Sequence, residues 1–283
     1  MDRDLARERK DDIIAKRRRT RVESKINYSL LAFVFSPLAT FMIITWYGHS
    51  CFKIQSGDLV VITDPFAKEI GLTPPRVRSD IVTVTHDHFD HANTETLAGE
   101  PFVITGPGEY EVKGVYIHGV ETFHDSEQGA KRGLNTIYTI NTEDITVAHM
   151  GDFGEDMIRP ETADELGSID ILMIPVGGTY TIDAKAAAKI VKQLEPRFVI
   201  PMHYALKGLS FKLDGLDAFL KEMGAGTVEP VEKFSIKKKD IGTEEKTEVV
   251  TNCDHLVQPD RGHTPPAAAR VGPADSSPHA HPC

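Results

Sequence analysis

The stretch 85-THDHFDHAN-93 places three histidines and two aspartates within six consecutive positions, directly after the apolar run 81-IVTVT-85. Extended backbone alternates side-chain direction with a period of two, which predicts that His86 and His88 face one point together. Several buried titratable groups without a metal ion would suffer a heavy desolvation cost. The stretch therefore predicts a metal site at the end of a strand.

Asp90 and His91 stand one turn further along, where 93-NTETLA-98 resembles the capped start of a helix. Their position predicts that they point towards a second ion. One zinc ion takes about four ligands, and a catalytic site leaves one position open for water. Two ions roughly 3.5–4 Å apart, sharing a carboxylate, would use all of these groups.

Further ligand-type residues follow other predicted strands. Short β-branched runs bounded by Gly, Pro, Asp or Asn are typical of strands. Ligand sites of open α/β sheets lie outside the carboxyl ends of the strands. The predicted strands are 42-MIITWY-47, 59-LVVIT-63, 81-IVTVT-85, 115-VYIHGV-120, 145-ITVAH-149, 170-DILMIPV-176 and 198-FVIPM-202, and the residues that follow them include Asp64, His124, Asp152 and His203.

Two helices are predicted between and after these strands. Residues 183–196 have a buried stripe at helical spacing, with Asp183 as the N-cap and Pro196 after the end. Residues 214–224 form the second helix, which Gly224 closes. Strands alternating with helices in mixed order predict a layered α/β domain.

Composition excludes some classes of protein. The 283 residues are 40% hydrophobic and 26% charged, which suits a soluble globular chain. The net charge of −10 has the wrong sign for a general nucleic-acid binder, so no nucleic-acid partner is expected. Three cysteines, two of them near the C-terminus, form no disulfide framework, which predicts a cytoplasmic protein.

The termini differ from the middle of the chain. Residues 1–41, basic and then apolar, read as an extension, and 251–283, rich in Pro, Ala, Ser and His, as a disordered tail. The predicted domain is 42–250. A membrane anchor through residues 26–47 is the alternative for the N-terminal part, but it needs 42–47, which looks like a first strand. No membrane association is expected otherwise.

Together these residues resemble the metallo-β-lactamase superfamily of metal-dependent hydrolases. The resemblance extends from Met42 to about Val250. In detail, the chain is similar to zinc-dependent hydrolases akin to the L-ascorbate-6-phosphate lactonases. It rests on the stretches 46-WYGHSCFKI-54, 62-ITDPF-66, 86-HDHFDH-91, 106-GPGEYEVKGV-115, 122-TFHD-125, 132-RGLNTIY-138, 149-HMGDFG-154, 174-IPVGGTYTIDAKAA-187 and 200-IPMHY-204.

The resemblance implies an αββα sandwich of four layers and two divalent metal ions. Zn is favoured over Mn or Fe, since His88 stands where the related diiron oxidoreductases have a glutamate. Asp152 would bridge the ions, and Asp64 would orient ligands from behind. The implied ligands are His86, His88 and His124 for the first ion, and Asp90, His91 and His203 for the second.

The implied reaction is metal-assisted hydrolysis of a small molecule such as a lactone, ester or phosphodiester. Bound ions lower the pKa of a water to about 7. Asp90 is the candidate that orients this water and carries its proton. His49 and Arg132 are candidates for the site or the substrate, although a core histidine and a solvated loop charge are equally consistent with the sequence. The turn 177–180 either lines the pocket or only enters a helix.

Two other functions stay open at this point: a nuclease of the same superfamily, and a non-catalytic metal-binding protein. The acidic balance argues against the nuclease. The complete ligand set argues against loss of catalysis. Assembly into a homo-oligomer is a further expectation from the resemblance.

Overall fold

The computed structural model describes residues 41–242 and 246–254. Residues 1–40 of the predicted extension 1–41, and residues 255–283 of the predicted tail, lie outside the described residues. Thr251 and Asn252, which the sequence analysis places in the tail, are buried against the domain. The amide of Val231 donates to the carbonyl of Thr251, and Cys253 donates back to Val231.

The first sheet has six strands in the order β12-β1-β2-β3-β4-β5. Its strands are antiparallel from β12 to β3 and parallel from β3 to β5. The bounds are β1 Met42–Gly48, β2 Cys51–Ser56, β3 Leu59–Thr63, β4 Ile81–Val84, β5 Phe102–Thr105 and β12 Phe234–Ile236.

The second sheet has seven strands in the order β13-β11-β10-β9-β8-β7-β6. It is parallel from β13 to β9 and antiparallel from β9 to β6. The bounds are β6 Gly108–Val112, β7 Val115–Phe123, β8 Leu134–Thr142, β9 Ile145–His149, β10 Ile171–Pro175, β11 Phe198–Met202 and β13 Glu248–Val249.

Tyr138 shows how the two sheets face each other. It stands on β8 in the second sheet, yet its hydroxyl lies 3.1 Å from the carbonyl of Val84 in the first sheet and accepts the amide of Gly106 at 2.6 Å. Burial raises the pKa of this phenol. One apolar core, with residues from both sheets, fills the space between them. The predicted α/β sandwich of two mixed sheets is therefore confirmed.

Helices are few in the described part of the chain. They are α1 Pro160–Leu166, α2 Ala184–Leu194 and α3 Leu216–Met223. The Asp183 carboxylate accepts the amide of Ala186 at 2.8 Å, as an N-cap does. Gly224 closes α3 in the left-handed conformation. Both predicted helices are confirmed, while α1, which begins at Pro160, escaped prediction.

Two local predictions are wrong. Asn93 does not cap an α-helix, because its side-chain amide donates instead to the carbonyl of Phe66, and only a 3-10 turn, Thr94–Thr96, follows. The strand before the histidine-rich stretch ends at Val84, so strand alternation does not explain the grouping of the histidines. The backbone turns there, with the amide of His88 donating to the carbonyl of His86 at 3.0 Å.

Residues 42–47, which a membrane anchor would require, lie in β1, paired between β2 and β12. Within the described residues, no helix combines the length and the apolar character that a membrane crossing demands.

Candidate metal centre

Five strand ends meet at one edge of the sandwich. In the first sheet, Asp64 follows β3 and the histidine-rich stretch follows β4. In the second sheet, His124 follows β7, Asp152 follows β9 and His203 follows β11. The sequence predicts each of these residues as part of the site. The group brought together is Asp64, His86, His88, Asp90, His91, His124, Asp152 and His203.

The first cluster consists of His86, His88 and His124. Their ring centroids lie 4.4 Å (His86 and His88), 4.7 Å (His86 and His124) and 5.2 Å (His88 and His124) apart. One nitrogen from each ring lies within 4.8 Å of the others. His88 is half-buried at the edge of this cluster, and burial lowers the pKa of its ring. Neutral imidazoles at this spacing suit a divalent metal ion.

The second cluster consists of His49, Asp90, His91 and His203, all buried, with ligand atoms within 4.8 Å of one another. The Asp90 Oδ2 atom lies 3.4 Å from His91 Nε2. The rings of His91 and His203 are nearly parallel, with centroids 5.9 Å apart. This cluster contains the three ligands predicted for the second ion and adds His49.

Asp152 lies between the two clusters. Its Oδ2 atom is 3.4 Å from His124 Nε2 on one side and 3.2 Å from His203 Nε2 on the other. Its Oδ1 atom is 3.2 Å from His91 Nε2, and His86 Nε2 is 3.9 Å from Oδ2. A carboxylate with histidines from both clusters around it has the position that a bridging ligand needs.

The buried polar atoms at this centre have the chemistry of a metal-binding site. Within the described residues, neither oxygen of Asp152 has a hydrogen-bond partner, and neither do the Nε2 atoms that surround it on His86, His91, His124 and His203. Buried polar atoms in proteins are normally paired, so a convergent set of unpaired ones requires an explanation. Imidazole and carboxylate donors in this number fit divalent metal ions well.

Burial and neighbouring charges shift the pKa values of Asp152 and of the histidines around it. Burial alone would raise the pKa of the Asp152 carboxyl, but the neighbouring His203 and His91 hold it well below its usual value. Burial lowers the pKa of His124 to about 4, so this imidazole is neutral. Burial would also lower the pKa of His91, but the carboxylates of Asp152, Asp90 and Asp64 hold it well above its usual value. A metal ion at His91 would therefore have to displace a proton.

Asp64 acts from behind the two clusters. It accepts hydrogen bonds from the Thr85 amide at 2.9 Å and the Thr85 hydroxyl at 2.7 Å, and its Oδ2 atom lies 2.7 Å from His91 Nδ1. Because a carboxylate can only accept, His91 Nδ1 carries a proton, which leaves Nε2 as the nitrogen that can bind a metal ion.

The same carboxylate acts on His86 through Thr85. The Thr85 hydroxyl has one proton, which it donates to Asp64, so its oxygen accepts from His86 Nδ1 at 3.0 Å. Burial lowers the pKa of His86, so this ring is neutral and its Nε2 atom keeps its lone pair. One carboxylate thus fixes which ring nitrogen is left for a metal ion in one histidine of each cluster, as residues behind a metal site do when they orient its ligands.

His49 belongs to the second cluster and differs from a core histidine in which both ring nitrogens are paired. Its Nε2 atom donates to Asp90 Oδ2 at 3.1 Å, while its Nδ1 atom has no partner among the described residues. Burial lowers the pKa of this ring to about 4, so it is neutral at pH 7. His149 is the contrast, since its Nε2 atom donates to the carbonyl of Ser50 and its Nδ1 atom accepts from Gly151.

Backbone strain is concentrated here. His49, Asp64 and His203 have φ angles of 52°, 38° and 50°, in the left-handed region. Side chains rarely adopt this conformation, and each such residue costs roughly 1–3 kcal/mol. The amide of His203 donates to the carbonyl of His49 at 3.2 Å, which joins two of the three strained residues.

Two glycines let the ligand-bearing loops approach closely. A Cβ atom on Gly154 would lie 2.3 Å from the carbonyl carbon of His124, and one on Gly177 would lie 2.1 Å from the carbonyl oxygen of His203. The predicted turn 177–180 therefore packs directly on a candidate ligand and then leads into α2.

Two residues at this centre were not predicted from the sequence. Asn135 accepts the amide of Asp152 at 2.9 Å and donates to the carbonyl of Met150 at 2.9 Å, which fixes the turn that carries Asp152. Phe211 lies edge-on to His49, with ring centroids 5.7 Å apart. Neither residue type is distinctive in sequence, and Phe211 comes from a loop far from the motifs.

A cavity of about 550 Å³ adjoins the first cluster, with His86 on its wall. Its lining combines apolar side chains, among them Val103 and Leu134, with the acids Asp87 and Glu121. A volume of this order is typical of sites for small molecules.

Comparison with known proteins identifies the family. Residues 43–203 match the model of the Beta-lactamase superfamily domain. A Pyrobaculum islandicum protein described as a UPF0173 metal-dependent hydrolase is 32% identical over 197 residues, which cover 58% of this chain and 84% of that protein.

Solved structures agree with this match. A Thermotoga maritima protein assigned as a Zn-dependent hydrolase of the metallo-β-lactamase superfamily is 38% identical, with a TM-score of 0.61 and coverage of 75% of this chain and 98% of that one. A metallo-hydrolase of Ignicoccus hospitalis shares the fold at 21% identity, with a TM-score of 0.54 and coverage of 71% and 100%. The chain therefore belongs to the beta-lactamase superfamily and is a metal-dependent hydrolase of the metallo-β-lactamase type.

Proposed function

We propose that the chain is a dinuclear zinc hydrolase of a small molecule such as a lactone, ester or phosphodiester. The observation that carries this proposal is the position of Asp152, whose two unpaired oxygens face histidines of both clusters. Two ions in these clusters would supply Lewis acidity and an activated water.

The ligands follow from the two clusters. His86, His88 and His124 would hold the first ion, and Asp90, His91 and His203 the second, with Asp152 shared. Zinc is favoured because imidazole nitrogen dominates the donor set, although His and Asp ligands also accept Mn or Fe.

Asp90 would act in proton transfer, and His49 would position it. The His49 Nε2–H bond holds Asp90 Oδ2, so the unpaired Oδ1 atom of Asp90 is the one left to face the second ion or the attacking water. Asp90 would orient the water and carry its proton, and His49 would keep the Asp90 carboxylate in place. Asp152, as the shared ligand, would fix the spacing of the two ions.

A small substrate is favoured over a polymer for two reasons. The cavity beside His86 has a volume of about 550 Å³, which suits a small molecule. The net charge of −10 disfavours a nucleic acid. The absence of a nucleic-acid partner and the formation of a homo-oligomer stay predictions.

Removing and restoring the metal tests this function. We expect chelation to abolish hydrolysis of lactone, para-nitrophenyl ester or phosphodiester probes. Zinc should restore the highest activity, with Mn and Fe compared in parallel. A His86→Ala variant should not recover, because the first cluster has lost a ligand. Activity that survives full removal of metal would contradict the proposal.

A further inference from the structure

Arg132 links two loops of the metal centre. Its amide donates to the Asp125 carboxylate at 2.8 Å, and Asp125 directly follows His124 of the first cluster. Its Nη2 atom donates to the carbonyl of Thr179 at 3.2 Å. Thr179 belongs to the turn that packs through Gly177 on the carbonyl of His203. The guanidinium is therefore fixed between loops that carry ligands of both clusters.

This guanidinium has no acidic partner. Across residues 41–242 and 246–254, no carboxylate oxygen lies within 4.0 Å of it, although it is only partly exposed. The next residue along the chain, Lys131, is exposed and pairs with Glu127. The guanidinium is fixed, half-buried and without a carboxylate partner within the described part of the chain. Its remaining N–H groups can therefore donate hydrogen bonds to an anion from solution.

An aromatic wall connects Arg132 to the second cluster. The guanidinium carbon lies 5.6 Å from the centroid of the Tyr180 ring. Tyr180 meets Phe211 edge-on at 5.7 Å, and Phe211 meets His49 in the same way at 5.7 Å. The wall orients Arg132 by stacking and leads from the cation to the residues around Asp90.

We propose that Arg132, stacked on Tyr180, binds an anionic group of the substrate, a carboxylate or a phosphate, and so determines its specificity. The planar fork of a guanidinium matches both groups with paired hydrogen bonds. The inference rests on the proposed hydrolase function and narrows it to substrates with an anionic end remote from the scissile bond.

The test uses zinc-loaded full-length protein and three para-nitrophenyl esters of one acyl chain, ending in a methyl group, a carboxylate or a phosphate monoester. Wild type should prefer one anionic ester, which also distinguishes carboxylate from phosphate. In Arg132→Gln, the ratio of kcat/KM for that ester over the methyl ester should fall about ten- to a hundred-fold. Arg132→Lys should recover part of the preference.

Lys131→Gln is the matched control, since it removes the adjacent cation and should keep the wild-type preference. Equal losses on all three esters in Arg132→Gln, or an equal loss of preference in Lys131→Gln, would overturn the proposal. If wild type hydrolyses none of the esters, the ester class fails, and calorimetry decides the role of Arg132 separately. Succinate and glycerol phosphate would then be titrated into both proteins, with weaker binding in Arg132→Gln supporting the proposal and equal binding overturning it.

Discussion

Replacing Asp152 by asparagine should lower hydrolysis on the order of a thousand-fold, equivalent to about 4 kcal/mol of transition-state stabilisation. Asparagine keeps the shape of the side chain and removes the negative charge that faces His91, His124 and His203 at 3.2–3.4 Å. The shared ligand would be lost, and both ions with it. The measurement is kcat/KM on the best substrate, with zinc in excess.

The stability of the protein gives an independent measurement of the same variant. Zinc should raise Tm in wild type, because a ligand that binds only the folded state stabilises it. That increase should largely disappear in Asp152→Asn. Asp156→Asn removes an exposed carboxylate from the same loop and should behave as wild type. An Asp152→Asn protein with the full zinc-dependent increase in Tm would show that Asp152 is no ligand.

Replacing Asp64 by asparagine should weaken metal binding at both clusters, by about ten- to a hundred-fold each. The Thr85 amide donates to Oδ1, while the Thr85 hydroxyl and His91 Nδ1 both meet Oδ2, so an amide in either orientation places its N–H groups against at least one of these donors. Loss of the negative charge also weakens the hold on His91 and, through the Thr85 hydroxyl, on His86. Folding stability should also fall, by about 2–4 kcal/mol.

Thr85→Val separates the effect of Asp64 on His86, which passes through the Thr85 hydroxyl, from its direct effect on His91. Valine removes the hydroxyl that links Asp64 to His86 and leaves the direct contact with His91. Zinc titrations of this variant should therefore show weaker binding of one ion only. Asp58→Asn, an exposed change, serves as the control. Loss of both ions in Thr85→Val, or of neither in Asp64→Asn, would contradict the tautomer argument.

Most of the apolar strands could be predicted from the sequence, but the apolar strand β5 and the more polar strands β6 and β8 were not. Runs such as 59–63, 145–149 and 198–202 coincide with strands because each has a parallel neighbour in its sheet and is largely buried, which favours apolar side chains. Strand β8 escaped because the sequence 134-LNTIYTINT-142 mixes Asn and Thr with apolar residues. The side chain of Asn135 in this strand accepts the amide of Asp152, so this position requires a hydrogen-bonding residue and not an apolar one.

The candidate ligands could be predicted because they follow strand ends, and the ends of strands in one sheet share an edge. The orientation of each ligand could not. It depends on contacts distant in sequence, such as Asp64 to His91, and on left-handed backbone at His49 and His203. No periodic pattern encodes a single residue with positive φ. His49 illustrates this, since its neighbours in the chain fit a core histidine equally well.

The decisive experiment measures the metal content of full-length protein by elemental mass spectrometry, beside the Asp152→Asn variant. We expect about two zinc ions per wild-type chain and a clear loss in the variant, because one carboxylate would serve both clusters. A folded wild-type protein that holds no metal, or a variant that holds as much zinc as wild type, would contradict the proposed two-ion centre.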